Sequence, residues 1–319
     1  MISCGRGERR KFVFLEGFTQ GTSYHIAYHS ADSVDYHQEL KALFSDIDNS
    51  MSIYNPSSII SAVNNDEPGV VPDDYFIKVF ERAQEISRIT NGAFDITVGP
   101  LVNAWGFGST GPANVDPGIV DSLLQFVGWE KVRIEEGFIV KDMPGIRLDM
   151  NAIAKGYTVD VVADFFDSKG ITDYMIEIGG EIRLKGKNRN NQLWRIGIDK
   201  PVDDPMAPTR ELQEIIQLTG KAIATSGNYR KFYIKDGQKF AHTIDPDSGY
   251  PVQHNLLSAT VITGTAMDAD AWATAFMVMG VEKSMELART VSELEAYFLY
   301  DLNGVTAVAS TEGFRELLN

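Results

Sequence analysis

Asp270 and Thr274 stand four residues apart in the run Met267-Asp268-Ala269-Asp270-Ala271-Trp272-Ala273-Thr274-Ala275, which is otherwise small and apolar. One turn of helix brings such a pair to one face, where a carboxylate and a hydroxyl can share a hard cation. Solvated or capping pairs have the same spacing, so the pair alone decides nothing. Other short segments carry comparable side chains. Gly92-Ala93-Phe94-Asp95-Ile96-Thr97 sets an Asp in a turn after a helical stretch, where such a residue most simply caps local backbone. Leu148-Asp149-Met150-Asn151-Ala152-Ile153-Ala154-Lys155-Gly156 flanks small residues with Asp149 and Lys155. Small residues permit close backbone approach, and a Lys at a helix start can offer a point charge to an anion. Ile178-Gly179-Gly180-Glu181-Ile182 follows, then Ala241-His242-Thr243-Ile244-Asp245-Pro246, where His242 precedes an Asp-Pro turn. A lone His in a strand is usually a satisfied structural group, but it can also move protons or steady developing charge.

The elements that must position these groups are readable from periodicity. Asp35 to Met51, Asp73 to Thr90 and Ala154 to Lys169 have helical spacing, with Asp73 and Asp74 at one N-terminus and Asn91-Gly92 as the following cap. Pro117 to Val127, Ala269 to Gly280 and Val281 to Val291 are also predicted helical. Phe12 to Tyr28 alternates as an edge or hairpin strand would. Further strands are expected at 132–134, 138–141, 147–149, 174–178, 181–187, 194–198, 212–218 and 221–225, with a terminal hairpin, 296–301 and 305–309, turning at Asn303-Gly304. Residues 103–118 read as a loop and 199–211, with three prolines among acidic residues, as an exposed excursion. The pattern is that of a two-layer α+β protein with a large antiparallel sheet.

Composition narrows the function. A chain of 319 residues with 44% hydrophobic content can bury a sizeable core. A net charge of −15 and a pI near 4.8 argue against a nucleic-acid partner, which would need a surplus of Lys and Arg on some face. No stretch approaches the roughly 18 apolar residues needed to span a bilayer. The single cysteine, Cys4, excludes an internal disulfide and any multi-cysteine metal site. Two readings of it stay open: an incidental thiol, or the lipid-attachment residue of an exported protein whose signal segment has been removed.

Taken in order and at these spacings, the segments around Asp95, Asp149 to Lys155, Gly179-Gly180-Glu181, His242 and Asp270/Thr274 resemble the ApbE family, the magnesium-dependent FAD:protein FMN transferases. Gly21-Thr22 and Ser52-Ile53-Tyr54, with Ser58, Ser61 and Asn64, add to the resemblance, which covers roughly residues 15 to 310. It implies a two-lobed fold related to the tunnelling fold, with residues 1–11 as a tether behind a lipidated Cys4 and 12–319 as one flavin transferase domain. The implied ligands are Mg²⁺ and FAD, the latter as substrate. Asp270, Thr274 and the main-chain carbonyl of Ala152 would hold the metal. Gln20, Tyr54, Ala93, Phe94, Asp95, Asp149, Lys155 and His242 would contact the nucleotide, with His242 and Asp270 catalytic. Asn151-Ala152 departs from the Gly-Gly or Ser-rich variants common in the family, and Gln20 stands where Met is more usual.

The resemblance implies transfer of FMN from FAD to a Ser or Thr hydroxyl of an acceptor flavoprotein, with release of AMP. The acceptor would be a flavin-carrying subunit of a sodium-translocating NADH:quinone reductase, the related Rnf complex, or another exported flavoprotein. It also implies a location on the periplasmic side of the inner membrane, with membrane contact only through a lipid anchor. Two alternatives stay open: an FAD diphosphatase using water as acceptor, and a carrier that binds FAD without turnover.

Overall fold

A computed structural model describes residues 10–107, 115–201, 211–228, 232–235 and 238–318. The N-terminal segment with Cys4, the centre of the 103–118 loop and most of the 199–211 excursion lie outside the described residues. The chain opens with the hairpin β1 (Phe12–Thr19) and β2 (Thr22–His29), which turns at Gln20 and Gly21 with φ of 49° and 72°. Helices α1 (His37–Met51), α2 (Ile59–Asn64), α3 (Asp74–Ile89), α4 (Gly99–Ala104) and α5 (Pro117–Leu124) come next, then the small hairpin β3 (Val132–Glu135) and β4 (Phe138–Lys141). Helix α6 (Ala154–Ser168) leads into β5 (Tyr174–Ile178), β6 (Glu181–Lys185), β7 (Trp194–Asp199), β8 (Leu212–Leu218) and β9 (Lys221–Gly227). The hairpin β10 (Phe232–Lys235) and β11 (Gln238–Ala241) precedes β12 (Leu256–Thr263), α7 (Ala266–Met279), α8 (Val281–Ala288), β13 (Glu295–Leu302), β14 (Val305–Ser310) and α9 (Glu312–Glu316).

Eight strands form one antiparallel sheet in the order β1-β2-β5-β6-β9-β12-β13-β14. Its alternation assigns side chains to two faces. Tyr24, Ile26 and Tyr28 of β2 and Ile176 and Ile178 of β5 meet Val159, Val162 and Phe166 of α6 and Leu40 and Phe44 of α1. Ala259 and Val261 of β12 and Ala296 and Phe298 of β13 join a second core with α3 and α7. The opposite face, with Ala27, Leu184, Ile223, Ile262, Tyr297 and Leu299, is covered by the β7–β8 hairpin and Phe314 of α9. The helix-covered face of the sheet thus carries two cores, and α6 and α7 meet at the seam between them.

Two differences from the expected elements have physical causes. Strand β12 lies in the middle of the sheet, yet it was not expected, because a strand buried on both faces shows no polar alternation: seven of its eight residues are buried. Conversely, 147–149 was expected as a strand but joins no ladder. Its backbone is held singly, Asp149 N–H donating to the Ile96 carbonyl (2.7 Å), while the Asn64 side chain brackets Leu148 through its N–H (2.6 Å) and carbonyl (2.9 Å). The other predicted elements fall near their bounds, whereas the short helices α2, α4 and α9 and the β10–β11 hairpin were not expected. Asp73 caps α3 by accepting from Phe76 N–H (2.8 Å), an interaction worth about 1 kcal/mol, and Asn91 and Gly92 close that helix at φ of 52° and 84°.

Candidate active site

Helix α7 is apolar on nearly every side: Ala269, Ala271, Trp272, Ala273, Ala275, Phe276 and Met277 are all buried. A helix of that composition belongs in an interior, so a carboxylate within it requires a reason. Asp270 is that carboxylate, 4% exposed. Its Oδ2 accepts from the Gly156 N–H in the first turn of α6 (3.1 Å). The approach depends on glycine: a Cβ at 156 would lie 2.2 Å from the Ala266 carbonyl oxygen and 2.9 Å from Asp270 Cβ. The exchange is reciprocal, because Asp160 of α6 accepts from the Ala266 and Met267 N–H groups that open α7, both at 2.9 Å. Each helix lends a carboxylate to the other's positive end.

Gly156 lies in the first turn of α6, where an N–H has no acceptor within its own helix, and Ala152 lies just before that helix. The neighbouring bonds are regular, from Ala154 N–H to Met150 (2.8 Å) and from Tyr157 N–H to Ile153 (3.0 Å), but no described main-chain N–H donates to the Ala152 carbonyl. That oxygen is left for another partner. Thr274, one turn along α7 from Asp270, is half-buried, and its hydroxyl meets Ser226 of β9 at 3.3 Å. Asp270, Thr274 and Ala152 therefore offer one anionic and two neutral oxygens. Among the described residues no group of three or more His, Cys, Asp or Glu is placed to hold a metal. A set with one carboxylate and neutral oxygens fits Mg²⁺, which keeps positions for phosphate and water.

Lys155 completes this corner. Its Nζ donates to Glu181 Oε1 (2.7 Å) and lies 4.0 Å from Asp270 Oδ2. Burial opposes its charge, but Asp270 and Glu181 outweigh burial and raise its pKa, so the ammonium stays charged. For Asp270 burial wins: the carboxyl is pushed up to about 7, raised further by Glu181 and lowered by Lys155 and the Gly156 N–H. Asp149 is half-buried, and burial raises its pKa against one bond from Asn151 N–H (2.9 Å).

The remaining predicted residues divide. Gln20 lies against α6, its Nε2 donating to Thr158 Oγ1 (2.8 Å), while its Oε1 is buried without a partner. Tyr54 is 67% exposed, its ring free to stack. The side chains of Phe94 and Asp95 are engaged within the protein itself. Phe94 is in the core, and Asp95 accepts from Thr97 N–H (2.7 Å), Thr97 Oγ1 (2.6 Å) and Trp129 N–H (2.9 Å). That segment can offer a ligand only its main chain and the half-buried Ala93. His242 is half-buried with Phe107 edge-on at 6.3 Å. Next to it Thr243 Oγ1 donates to Asn228 Oδ1 (2.7 Å), two residues beyond Ser226, so one end of β9 links the His242 turn to Thr274. Sequence reasoning gave no role to Asp160, Ser226 or Glu181. Only Glu181 carried a signal, the Gly-Gly pair before it.

A model of the ApbE family matches residues 20–298. The chain is 42% identical over 299 residues to an FAD:protein FMN transferase of Vibrio cholerae, covering 90% of this chain and 87% of that one. It is 35% identical to one of Haemophilus influenzae, covering 96% and 92%. Among solved structures it resembles the flavin transferase ApbE from Vibrio cholerae, with a TM-score of 0.87 at 35% identity, covering 97% of this chain and 100% of that one. It also resembles the apo form of Pseudomonas stutzeri flavinyl transferase ApbE, with a TM-score of 0.86 at 31% identity and 97% of each chain covered. The chain belongs to the ApbE family.

Proposed function

From that membership and this geometry we propose that the protein transfers FMN from FAD to a Ser or Thr hydroxyl of an acceptor flavoprotein, in a reaction that depends on Mg²⁺. The observation that carries the reading is Asp270, a carboxylate in an apolar helix with one protein hydrogen bond, set beside Lys155 and one turn from Thr274. A metal held by Asp270, Thr274 and the Ala152 carbonyl would neutralise the crowded charge of the diphosphate and polarise the phosphoryl oxygen. Lys155 adds a fixed positive charge on the same side, which lets an acidic protein accept an anionic nucleotide. Tyr54 presents a ring face for stacking. The acceptor oxygen bonds to the phosphorus beside riboflavin, the P–O bond to the adenylate breaks, and AMP leaves with the bridging oxygen. His242 is our assignment for the group that receives the hydroxyl proton or steadies the charge it leaves.

Incubation with FAD, Mg²⁺ and a candidate acceptor tests this. The expected result is an acceptor mass gain equal to one FMN phosphoester and an equal amount of AMP. Free FMN with unlabelled acceptor would make the protein a diphosphatase, and unchanged FAD would leave it a carrier. No described helix is long and apolar enough to cross a membrane. An exported location through lipidated Cys4 belongs to the same reading, supported by the family resemblance, and labelling with an alkynyl fatty acid in cells carrying Cys4→Ala beside the unaltered protein checks it.

A further inference from the structure

Glu181 is 6% exposed, and among the described residues its second oxygen, Oε2, has no hydrogen-bond partner. An unpartnered buried carboxylate oxygen is costly, so stability alone does not account for this residue. The backbone is shaped to put it there. Ile178 pairs with Glu181 across a two-residue turn, Gly179-Gly180, with φ of +66° and +109°. A side chain on Gly179 would come within 3.2 Å of Glu181 Oε2 and 2.9 Å of Thr22 Cγ2. What this arrangement holds is the ammonium of Lys155, at 2.7 Å from Glu181 but 4.0 Å from Asp270.

Lysine has a flexible stem and a compact charge, and with Glu181 absent the nearest anion is Asp270. The ammonium would then close on the carboxylate oxygen that a cation needs. We propose that Glu181 is a positioning residue that draws Lys155 off Asp270, keeping that carboxylate open to a divalent metal and the ammonium turned to the phosphate side. The inference rests on the metal assignment made above and adds the residue that keeps the two positive charges apart.

Mn²⁺ binding, read by the EPR signal of the free ion, tests it without turnover. Glu181→Gln should weaken Mn²⁺ binding about tenfold, in the range for residues that orient metal ligands. In a Lys155→Met background the same change should cost little, because no ammonium remains to move. A Glu181 acting only through its own negative charge would cost the same in both backgrounds, and that result overturns the proposal. Glu181→Asp guards against a folding defect: it keeps the charge but shortens the reach, and should also weaken Mn²⁺ binding, with wild-type affinity again overturning the proposal. If the unaltered protein binds Mn²⁺ and turns over FAD while Glu181→Gln binds Mn²⁺ equally well, this inference fails alone. If the unaltered protein binds no Mn²⁺, the metal assignment fails with it.

Discussion

Asp160 and Asp270 hold equivalent places on the α6–α7 seam, each giving its carboxylate to the first turn of the other helix, yet their surroundings differ. Asp160 is saturated: two N–H groups of α7 and Arg183 Nη1 at 2.8 Å converge on it. Among the described residues Asp270 has one N–H donor, and the only cation beside it is held by Glu181. The first end of the seam is finished by the protein alone. The second is finished as a fold but not as an electrostatic object, and this distinguishes a structural carboxylate from a working one.

The largest effects should separate the two ends. Asp270→Ala should cut Mg²⁺-dependent turnover by at least about a thousandfold, the order expected when the groups stabilising a transferring phosphoryl lose their anchor, while the melting temperature stays within a few degrees. Near-normal turnover at saturating Mg²⁺ would sink the metal assignment. Asp160→Ala should do the reverse, removing about 3 kcal/mol of stability by leaving Arg183 without its buried partner. Chemical denaturation measures this, and an unchanged midpoint in Asp160→Ala would erase the contrast.

Proton linkage sharpens the comparison at the next level. The Asp270 carboxyl, pushed up to about 7 chiefly by burial, binds a proton in the folded metal-free protein that the unfolded chain releases at about 4. With the folded state holding more protons across that window, this group's contribution to stability is lost as pH rises from about 4 to about 7. A metal must displace the same proton, so Mg²⁺ affinity should rise with pH until about 7 and then level off. Calorimetric titration across that range checks it, and a flat profile would mean that Asp270 is already ionised without metal.

Smaller effects belong to the neutral ligand and the rim. Thr274→Ala should raise the Mg²⁺ concentration for half-maximal activity by roughly tenfold, about 1.4 kcal/mol, because water can replace a hydroxyl. Excess Mg²⁺ should restore the rate, and failure to do so would assign Thr274 a role beyond ligation. Tyr54→Ala should raise KM for FAD a few-fold, about 1 kcal/mol of stacking, with kcat unchanged. A fall in kcat instead would place the Tyr54 ring at the reacting atoms.

Much of this was legible before any coordinates. The periodicity of α1 and α3 is that of helices with one buried face, and the Asn303-Gly304 turn obeys hairpin chemistry, so local rules sufficed there. Asp270 and Thr274 stood out because their neighbours are small and apolar. Strand β12 escaped because two-sided burial removes alternation. The commitment of Asp95 to Trp129 escaped because it is made across 34 residues of chain. The same holds for Asp160, whose partners in α7 lie more than 100 residues away. A side chain that caps a distant helix looks, in sequence, like any other Asp on a helix.

Gly156 sets the mutational landscape of this site. Where two helices touch backbone to backbone, no side chain between them can be trimmed or enlarged by degrees, so the spacing of Lys155 from Asp270 is kept whole or lost. Around that contact the landscape is a cliff. Around Tyr54 and the turn after His242, which are partly open to solvent, packing sets no such limit and substitutions should act in small steps.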